Sequence, residues 1–300
     1  MIDRVLDISE EPAQLNIRNG LLVVKSGGVE RAAIPCEELA AVVIGHRDVT
    51  LTQSVLSELA KAGALVVTCD EKFSPTAMVL SLDAHHAQAE RFRLQAALPG
   101  PLRKRLWRSI VQAKIRAQAA VLEQATQSDQ GLRALVPRVR SGDPDNVEAR
   151  AARRYWSKLF PEGRFRRRDG EDVRNVRLNY GYAVLRSVTA RAVCGAGLHP
   201  SFGLFHSNAY NPFALADDLM EPFRPLVDLV AHAEQEAELS PETKRKLIGV
   251  MLARYSAAGE ERTLVDILSR VAQSLARIVM GGRETLWMPE VTRVRPGAVD

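Results

Sequence analysis

Cysteines are scarce in this sequence of 300 residues, which contains three of them. Cys36, Cys69 and Cys194 stand at no pairing or zinc-type spacing. This argues against a disulfide framework and against a structural zinc site, because both need several cysteines in a defined pattern. The same scarcity favours a reducing compartment, so the sequence predicts a cytoplasmic protein.

Long hydrophobic runs are also missing. The first residues, MIDRVLDISEEP, alternate charged and apolar positions and lack the basic start and apolar stretch of a signal peptide. Residues 192–216 contain no Asp, Glu, Lys or Arg, but proline, histidine and asparagine interrupt them too often for a membrane helix. No membrane span is predicted.

The usual motifs of nucleotide binding and of nucleophilic catalysis are absent. The sequence GHRDVT stands where a glycine-rich phosphate loop would follow a strand, and neither GxGxxG nor GxxxxGK[ST] occurs there. Serine-histidine, cysteine-histidine, HExxH and GxSxG patterns are missing as well. Acidic residues and a histidine are what remains for chemistry.

Acidic residues are few in the middle third of the chain. Residues 101–191 carry 21 Lys and Arg against 9 Asp and Glu, a net charge of +12, whereas the remainder carries 20 against 27, a net charge of −7. Such a concentration of positive charge attracts polyanions and favours nucleic acid as the partner. The alternative is that these basic residues form ordinary solvated helix faces with local ion pairs.

The pattern of apolar residues predicts an α+β protein with two domains. A hydrophobic content of 46% can bury a large core. Residues 1–82 contain strand-like segments with one helix over residues 50–62, and we predict a β-rich, β-sandwich-like domain there. After a linker at 83–90, residues 91–288 have helical periodicity and predict a larger all-α domain, followed by a loose tail at 289–300.

Several helices of the second domain are predicted from their apolar stripes and caps. A basic helix covers residues 101–127, with Arg103, Lys104, Arg105 and Arg108 expected to face solvent. Asp143 and Pro144 predict the start of a helix that reaches residue 159 and contains Glu148. An apolar helix over residues 175–197 is expected at the centre of the core, and two more helices are predicted at 241–258 and 260–280.

The segment GLFHSNAYNPFALADDLMEPFRP at residues 203–225 sets polar groups among apolar ones. In a helix over residues 213–230, Asp217, Glu221, Arg224 and Asp228 lie opposite the apolar stripe, and the simplest interpretation is a solvated face. However, Pro222 and Pro225 lack the amide hydrogens that would bond the carbonyls of residues 218 and 221. We therefore expect the helix to kink or restart at these acids.

Glu148, His206 and Glu221 are the candidate metal ligands. Two carboxylates and one imidazole suit magnesium or manganese, and such an ion would serve phosphodiester chemistry in a basic domain. Each residue has an alternative role: Glu148 completes a capping box or pairs with arginines of its own helix, His206 satisfies a buried backbone group, and Glu221 is a surface charge. Asp217 is expected to cap a helix, and Asp218 either assists the metal or faces solvent.

Four segments resemble a known family when they are taken together. GDPDNVEARAARRYW, LNYGYAVLRS, GLHPSFGLFH and NPFALADDLMEPFRPLVD, which span residues 142–228 in this order, are similar to the CRISPR-associated integrase of the spacer-acquisition (adaptation) machinery. They most resemble the short form that accompanies single-protein effector (type II) systems. The strand-rich first third agrees with this family in length and character.

The resemblance implies a β-rich domain that forms a homodimer and a helical catalytic domain with a Mg²⁺ or Mn²⁺ site. Glu148, His206 and Glu221 match the positions of the metal ligands, and Asp218 occupies an acidic position used in some relatives. The implied reaction is attack by the 3'-hydroxyl of a captured double-stranded DNA fragment on a phosphodiester at the repeat boundary, with endonuclease activity as the related chemistry. The implied partner is the small ferredoxin-like second adaptation protein, in a heterohexameric complex with two dimers.

The residues alone leave two other functions open: a non-catalytic nucleic-acid-binding scaffold and a general metal-dependent phosphodiesterase. Candidate DNA contacts lie on or after the helix of Glu148, and they are Arg150, Arg153, Arg154, Lys158, Arg164, Arg166, Arg167 and Arg168.

Overall fold

The computed structural model of the chain consists of two compact units, Met1–His86 and Ala87–Asp300. It describes residues 4–70, 75–79, 81, 87–161, 165, 167, 172–206, 208, 210–234, 236 and 238–295. The first unit is rich in strands and the second is mostly helical, which confirms the predicted α+β class. In the described part of the chain no helix is long and apolar enough to cross a membrane.

The first unit contains eight described strands and one helix. Along the chain these are β1 (Arg4–Ile8), β2 (Ala13–Arg18), β3 (Leu21–Ser26), β4 (Val29–Pro35), β5 (Leu39–Ile44), β6 (Val49–Leu51), α1 (Gln53–Lys61), β7 (Leu65–Cys69) and β8 (Pro75–Val79). They form two four-stranded sheets with the orders β1-β5-β7-β8 and β4-β3-β2-β6. The predicted strand segments LNIRN, LLVVK, VERAAIP, LAAVVIG and ALVVTCD correspond to β2, β3, β4, β5 and β7, whereas β1, β6 and β8 are not among them. Thr50 and Leu51, predicted as the start of the helix, belong to β6.

The two sheets and α1 contribute to one hydrophobic core. Leu15 and Leu22 come from one sheet, Val42 from the other, and Val55 and Leu59 from α1. Every residue of β5 is buried, as expected of a strand that runs parallel to neighbours on both sides, β1 and β7. This shared core explains the sandwich-like character predicted from the sequence.

Eight helices account for most of the described residues of the second unit. They are α2 (Gln88–Ala96), α3 (Gly100–Thr126), α4 (Val147–Leu159), α5 (Val173–Gly195), α6 (Ala214–Met220), α7 (Arg224–Ala233), α8 (Pro241–Leu252) and α9 (Leu264–Val279). Helix α5 is the central one and contacts α6, α7, α8 and α9. Gly181 permits this packing, because a Cβ atom there would lie 2.4 Å from Val227 Cγ1.

Three short strands in the second unit correct the prediction of an all-α domain. Strands β9 (Arg254–Ala257), β10 (Glu260–Thr263) and β11 (Val291–Arg295) form an antiparallel sheet in the order β10-β9-β11. The prediction extended helices through residues 254–263 and treated residues 289–300 as a loose tail. Ala258 and Gly259 both have positive φ, as in the tight turn of a β-hairpin, so the chain turns here instead of continuing as helix.

Candidate active site

Two of the proposed metal ligands meet at a lysine that the sequence analysis did not single out. Lys114 lies in the middle of α3, Glu148 in the first turn of α4, and Glu221 in the 3₁₀ turn Glu221–Phe223 that follows α6. Lys114 Nζ is 2.6 Å from Glu148 Oε1 and 2.6 Å from Glu221 Oε2. Three elements that are distant in sequence therefore converge on one ammonium group.

Asp143 fixes the position of Glu148. Its carboxylate accepts hydrogen bonds from the backbone amides of Val147, at 3.0 Å, and Glu148, at 2.9 Å. Asp143 thus caps α4 as predicted, but the helix begins at Val147 instead of Pro144, because Asn146 adopts a left-handed backbone conformation. The alternative role of Glu148, a capping box with Asp145 three residues before it, is not formed, since Asp145 pairs with Arg140.

The prolines after α6 place Glu221. As predicted, the helix is interrupted, with the 3₁₀ turn at Glu221–Phe223 separating α6 from α7. Glu221 is only 4% exposed, and its Oε1 lies 3.2 Å from the guanidinium of Arg224. Burial opposes ionisation of Glu221, but the positive charges of Arg224 and Lys114 outweigh it and lower the pKa of this carboxyl.

The predicted solvated face of residues 213–230 is buried. Asp217, Asp218, Glu221 and Asp228 are each at most 6% exposed. Asp217 is not a helix cap: it accepts two hydrogen bonds from Arg186 of α5, at 2.6 and 2.9 Å. Partners from other elements compensate the burial of these carboxylates, which the spacing of apolar residues in one helix does not reveal.

Asp218 orients His206 and the loop that carries it. One carboxylate oxygen, Oδ2, accepts the backbone amides of Leu204 and Phe205 at 2.6 and 3.0 Å. The other, Oδ1, lies 2.5 Å from Nδ1 of His206. An ionised carboxylate only accepts, so Nδ1–H donates and Nε2 is left for another partner. Both oxygens of Asp218 therefore accept hydrogen bonds that position His206 and its loop.

His206 belongs to the same electrostatic environment as the two glutamates. The hydrogen bond to Asp218 raises the pKa of His206, and burial opposes this effect. The negative charges of Glu221 and Glu148 raise the pKa further. The imidazole therefore lies within the electrostatic range of both carboxylates that Lys114 connects.

The donor set suits a hard divalent cation. Two carboxylates and an imidazole nitrogen are ligands that magnesium and manganese accept. Glu221 Oε2 is buried and, within the described part of the chain, receives no hydrogen bond of good geometry, although Lys114 Nζ is close. No three His, Cys, Asp or Glu groups among the described residues already stand in a metal-binding arrangement, and Lys114 holds the place between the two glutamates.

The sequence does contain a signal for Lys114. It lies on the helix face that includes Ile110 and Gln118, both of which are buried. Burial opposes its positive charge, yet Glu221 and Glu148 raise the pKa of the ammonium group above its ordinary value. A lysine within a buried helix face requires acidic partners, and this requirement points towards the glutamates.

Arg103 differs from the prediction that it faces solvent. It is half-buried and donates hydrogen bonds to the carbonyl oxygens of Leu204, at 3.2 Å, and Gly203, at 3.0 Å. Lys104, Arg105 and Arg108 are exposed as predicted. Helix α3 therefore contributes both Lys114 and an anchor for the loop of His206.

The candidate DNA contacts fall into two structural groups. Arg150, Arg153, Arg154 and Lys158 are exposed on α4, on the helix that carries Glu148. Arg167 is instead attached to α5, where its guanidinium donates to Asn175 and Asn179 and lies 5.0 Å from the ring centre of Tyr182. Arg164, Arg166 and Arg168 lie outside the described residues.

Known proteins resemble the chain in sequence and in fold. The family model described as "CRISPR associated protein Cas1" matches residues 6–252. The CRISPR-associated endonuclease Cas1 of Neisseria meningitidis serogroup C is 39% identical over 287 residues, which cover 93% of each chain.

Two solved structures share the fold. One is described as a casposase bound to integration product; it has a TM-score of 0.80 and 19% identity, with 95% of this chain and 93% of that chain covered. The other is described as a Cas6-RT-Cas1--Cas2 complex, with a TM-score of 0.75, 23% identity and coverage of 96% of this chain and 36% of the longer one. The family match over residues 6–252 and the 39% identity across nearly the whole chain show that this protein belongs to the CRISPR-associated Cas1 family.

Proposed function

We propose that the chain is a CRISPR adaptation integrase, a metal-dependent DNA endonuclease and transesterase that inserts captured double-stranded DNA as new spacers. The observation that carries this proposal is the convergence of Glu148 and Glu221 on one ammonium group, within electrostatic range of His206 and in a strongly basic part of the chain. A surface ion pair would not need to be buried, whereas Glu221 is only 4% exposed where it shares Lys114 with Glu148, so the geometry favours an enzyme over a scaffold.

The proposed reaction exchanges one phosphodiester for another. The 3'-oxygen of the captured fragment attacks the phosphorus atom at the repeat boundary, while the bond from that phosphorus to the 3'-oxygen of the repeat strand breaks. The attacking hydroxyl loses its proton and the leaving 3'-oxygen gains one. The number of phosphodiester bonds is unchanged, so no nucleoside triphosphate is consumed. Hydrolysis by the same site would use water in place of the 3'-hydroxyl.

Glu148, Glu221 and Nε2 of His206 would hold Mg²⁺ or Mn²⁺. Such a cation lowers the pKa of an attacking hydroxyl and stabilises the charge that develops on the phosphate. Asp218 keeps the proton of His206 on Nδ1, and Arg224 keeps Glu221 ionised. The exposed basic residues of α4 would contact phosphates on either side of the reacting bond.

The proposed partners are double-stranded DNA, a second copy of this chain and the small second adaptation protein. A structural neighbour is described as a complex that contains Cas1 and Cas2, which supports an assembly with Cas2. We propose a heterohexamer of two homodimers and the second protein, located in the cytoplasm. The three free cysteines agree with a reducing compartment.

A strand-joining assay with matched ends tests this function. Wild-type protein with Mn²⁺ should join a duplex carrying 3'-hydroxyl ends to repeat DNA, but not the same duplex carrying 3'-dideoxy ends. His206→Ala should abolish joining while DNA binding and folding persist. Cleavage that ignores the state of the 3'-end would indicate a general phosphodiesterase, whereas salt-sensitive binding without metal-dependent joining or cleavage would indicate a scaffold.

A further inference from the structure

An aromatic stack lies directly beside His206. The ring of Phe205 is parallel to the indole of Trp107, with an interplanar angle of 2° and ring centres 4.4 Å apart. The rings of Trp107 and Phe205 both meet the imidazole of His206 edge-on, at 5.6 and 5.7 Å. The three rings therefore form one packed unit.

The two aromatic residues differ sharply in exposure. Trp107 is 1% exposed, whereas Phe205 is 48% exposed. Since Trp107 covers one face of the Phe205 ring, the opposite face contributes the exposed surface. Leaving an aromatic face in water forgoes the stabilisation that its burial would give. Packing among the described residues does not explain the exposed face of Phe205.

The backbone holds Phe205 in a fixed position. Its amide donates to Asp218 Oδ2 at 3.0 Å, and Arg103 binds the carbonyl oxygens of the two preceding residues. Gly203 fits tightly under the loop, because a Cβ atom there would lie 2.3 Å from the carbonyl oxygen of His206. A ring that is stacked and anchored in this way loses little conformational freedom when a flat ligand covers its open face.

The stack lies at a short distance from the proposed reaction centre and in positive surroundings. Trp107 and Lys114 are seven residues apart on α3, so they are separated by about 10 Å along the helix axis. In DNA the same length corresponds to three nucleotides of one strand, at about 3.4 Å each. Exposed Lys104 and Arg108 neighbour Trp107 on the same helix. An exposed aromatic ring with positively charged residues close by is typical of proteins that bind single-stranded nucleic acid.

We propose that Phe205 is a stacking platform for one unpaired nucleobase within about three nucleotides of the reacting phosphodiester. The proposal rests on the proposed DNA function and assigns this chain a base-binding subsite that does not distinguish base identity. Stacking accepts any base, because every base has a π-face, so the subsite fixes the position of a DNA end rather than its sequence.

A fluorescent base detects such a contact without any catalysis. We would use a duplex with a single-stranded 3' overhang, 2-aminopurine at one of the last four positions, and EDTA to prevent reaction. Wild-type protein should quench the fluorescence at one of these positions more strongly than at the others. Phe205→Leu should remove this selective quenching and weaken overhang binding by about tenfold, since stacking contributes modestly per base.

Phe202→Leu provides the matched control. Phe202 is 41% exposed and lies in the same segment, but it packs on His199 rather than on Trp107. The Phe202→Leu variant should keep the selective quenching. Phe205→Trp should show it too, unlike Phe205→Leu, because tryptophan supplies an aromatic face at the same position. Binding of a blunt duplex should be the same for wild type and Phe205→Leu.

Three outcomes would overturn the proposal. Equal quenching and affinity for wild type and Phe205→Leu, with strand joining intact, would reject the platform and leave the proposed function standing. Normal DNA binding by Phe205→Leu with lost association with the second adaptation protein would assign the ring to a protein contact. A wild-type protein that binds no DNA at all would reject the proposed function itself.

Discussion

The carboxylate of Asp218 and the imidazole of His206 are joined by a hydrogen bond of 2.5 Å through Nδ1. The same carboxylate accepts backbone amides of the loop immediately before His206, so one buried acid sets both the path of the chain and the orientation of the ring. Functional geometry at this site depends on a residue that we do not expect to touch the cation or the DNA.

Asp218→Asn should lower the rate of strand joining by about 10- to 100-fold, because the imidazole loses the partner that fixes its tautomer. The rate should be measured at saturating DNA, alongside thermal unfolding to confirm that the variant folds. In a His206→Ala background Asp218→Asn should lower the rate little further, because Asp218 acts through the imidazole that is already missing. Losses that multiply would show that Asp218 acts independently of His206.

Lys114→Met should destabilise the protein in EDTA, because two neighbouring carboxylates lose their common counterion. Removing one partner of a buried ion pair costs about 3–5 kcal/mol. Because Lys114 and Glu148 are partly exposed, we expect the loss of stability not to exceed this range. Mn²⁺ should raise the melting temperature of Lys114→Met more than that of wild type, since the ammonium no longer competes for Glu148 and Glu221.

Lys246→Met is the control for the lysine change, because Lys246 is exposed and also bridges two glutamates, Glu234 and Glu242. It should leave both the stability in EDTA and the response to Mn²⁺ close to wild type. Calorimetric titration measures the affinity directly, and weaker Mn²⁺ binding by Lys114→Met would mean that the lysine organises the site instead of competing with the cation.

Gly203→Ala should disturb the loop of His206 and reduce strand joining strongly. The added Cβ atom would lie 2.3 Å from the carbonyl oxygen of His206 and 3.1 Å from Asp218 Oδ2, so the backbone must shift. Gly195→Ala is the matched control, because nothing lies within 4 Å of a Cβ atom at that position. If both variants join DNA at the wild-type rate, the loop has more freedom than its contacts imply.

Stability should depend on pH through Asp228. Burial raises the pKa of Asp228 to about 7, against the hydrogen bonds from Tyr182 and Tyr155. Because the folded pKa is raised, the contribution to stability is fully present below the unfolded pKa of 3.8 and is lost as the pH rises through about 7.

Urea unfolding at pH 5 and pH 8 tests this dependence. The free energy of unfolding of wild type should fall by on the order of 2 kcal/mol more than that of Asp228→Asn over this interval. Equal pH dependence in the two proteins would mean that Asp228 titrates near its ordinary pKa in the folded state.

Arg153 and Arg167 should respond differently to replacement by alanine. Arg153→Ala should weaken binding to all DNA sequences alike and reduce the slope of log affinity against log salt by about 1, as loss of a phosphate contact predicts. Arg167→Ala should mainly lower stability, because its guanidinium is bound to Asn179 and lies over Tyr182. Electrophoretic binding at several salt concentrations, together with thermal unfolding, separates the two effects.

Much of the fold follows from local sequence. Alternating apolar residues and glycine turns predicted most strands of the first unit, and helical periodicity predicted α3 and α5. Pro222 and Pro225 predicted the interruption between α6 and α7. The strands near residue 257 escaped prediction because their apolar spacing also fits a helix, and only the positive φ of Ala258 and Gly259 decides between the two.

The sequence by itself determined the α+β class, the basic middle third and the residue types that a divalent cation needs, because composition, periodicity and linked motifs are local properties. Only the tertiary structure placed Lys114 between Glu148 and Glu221 and assigned Asp218 to His206. Apolar spacing shows which face of an isolated helix avoids water. The opposite, acidic face can be buried only if cationic and hydrogen-bonding partners compensate it. These partners come from helices that are distant in the sequence, and only the tertiary structure brings them together.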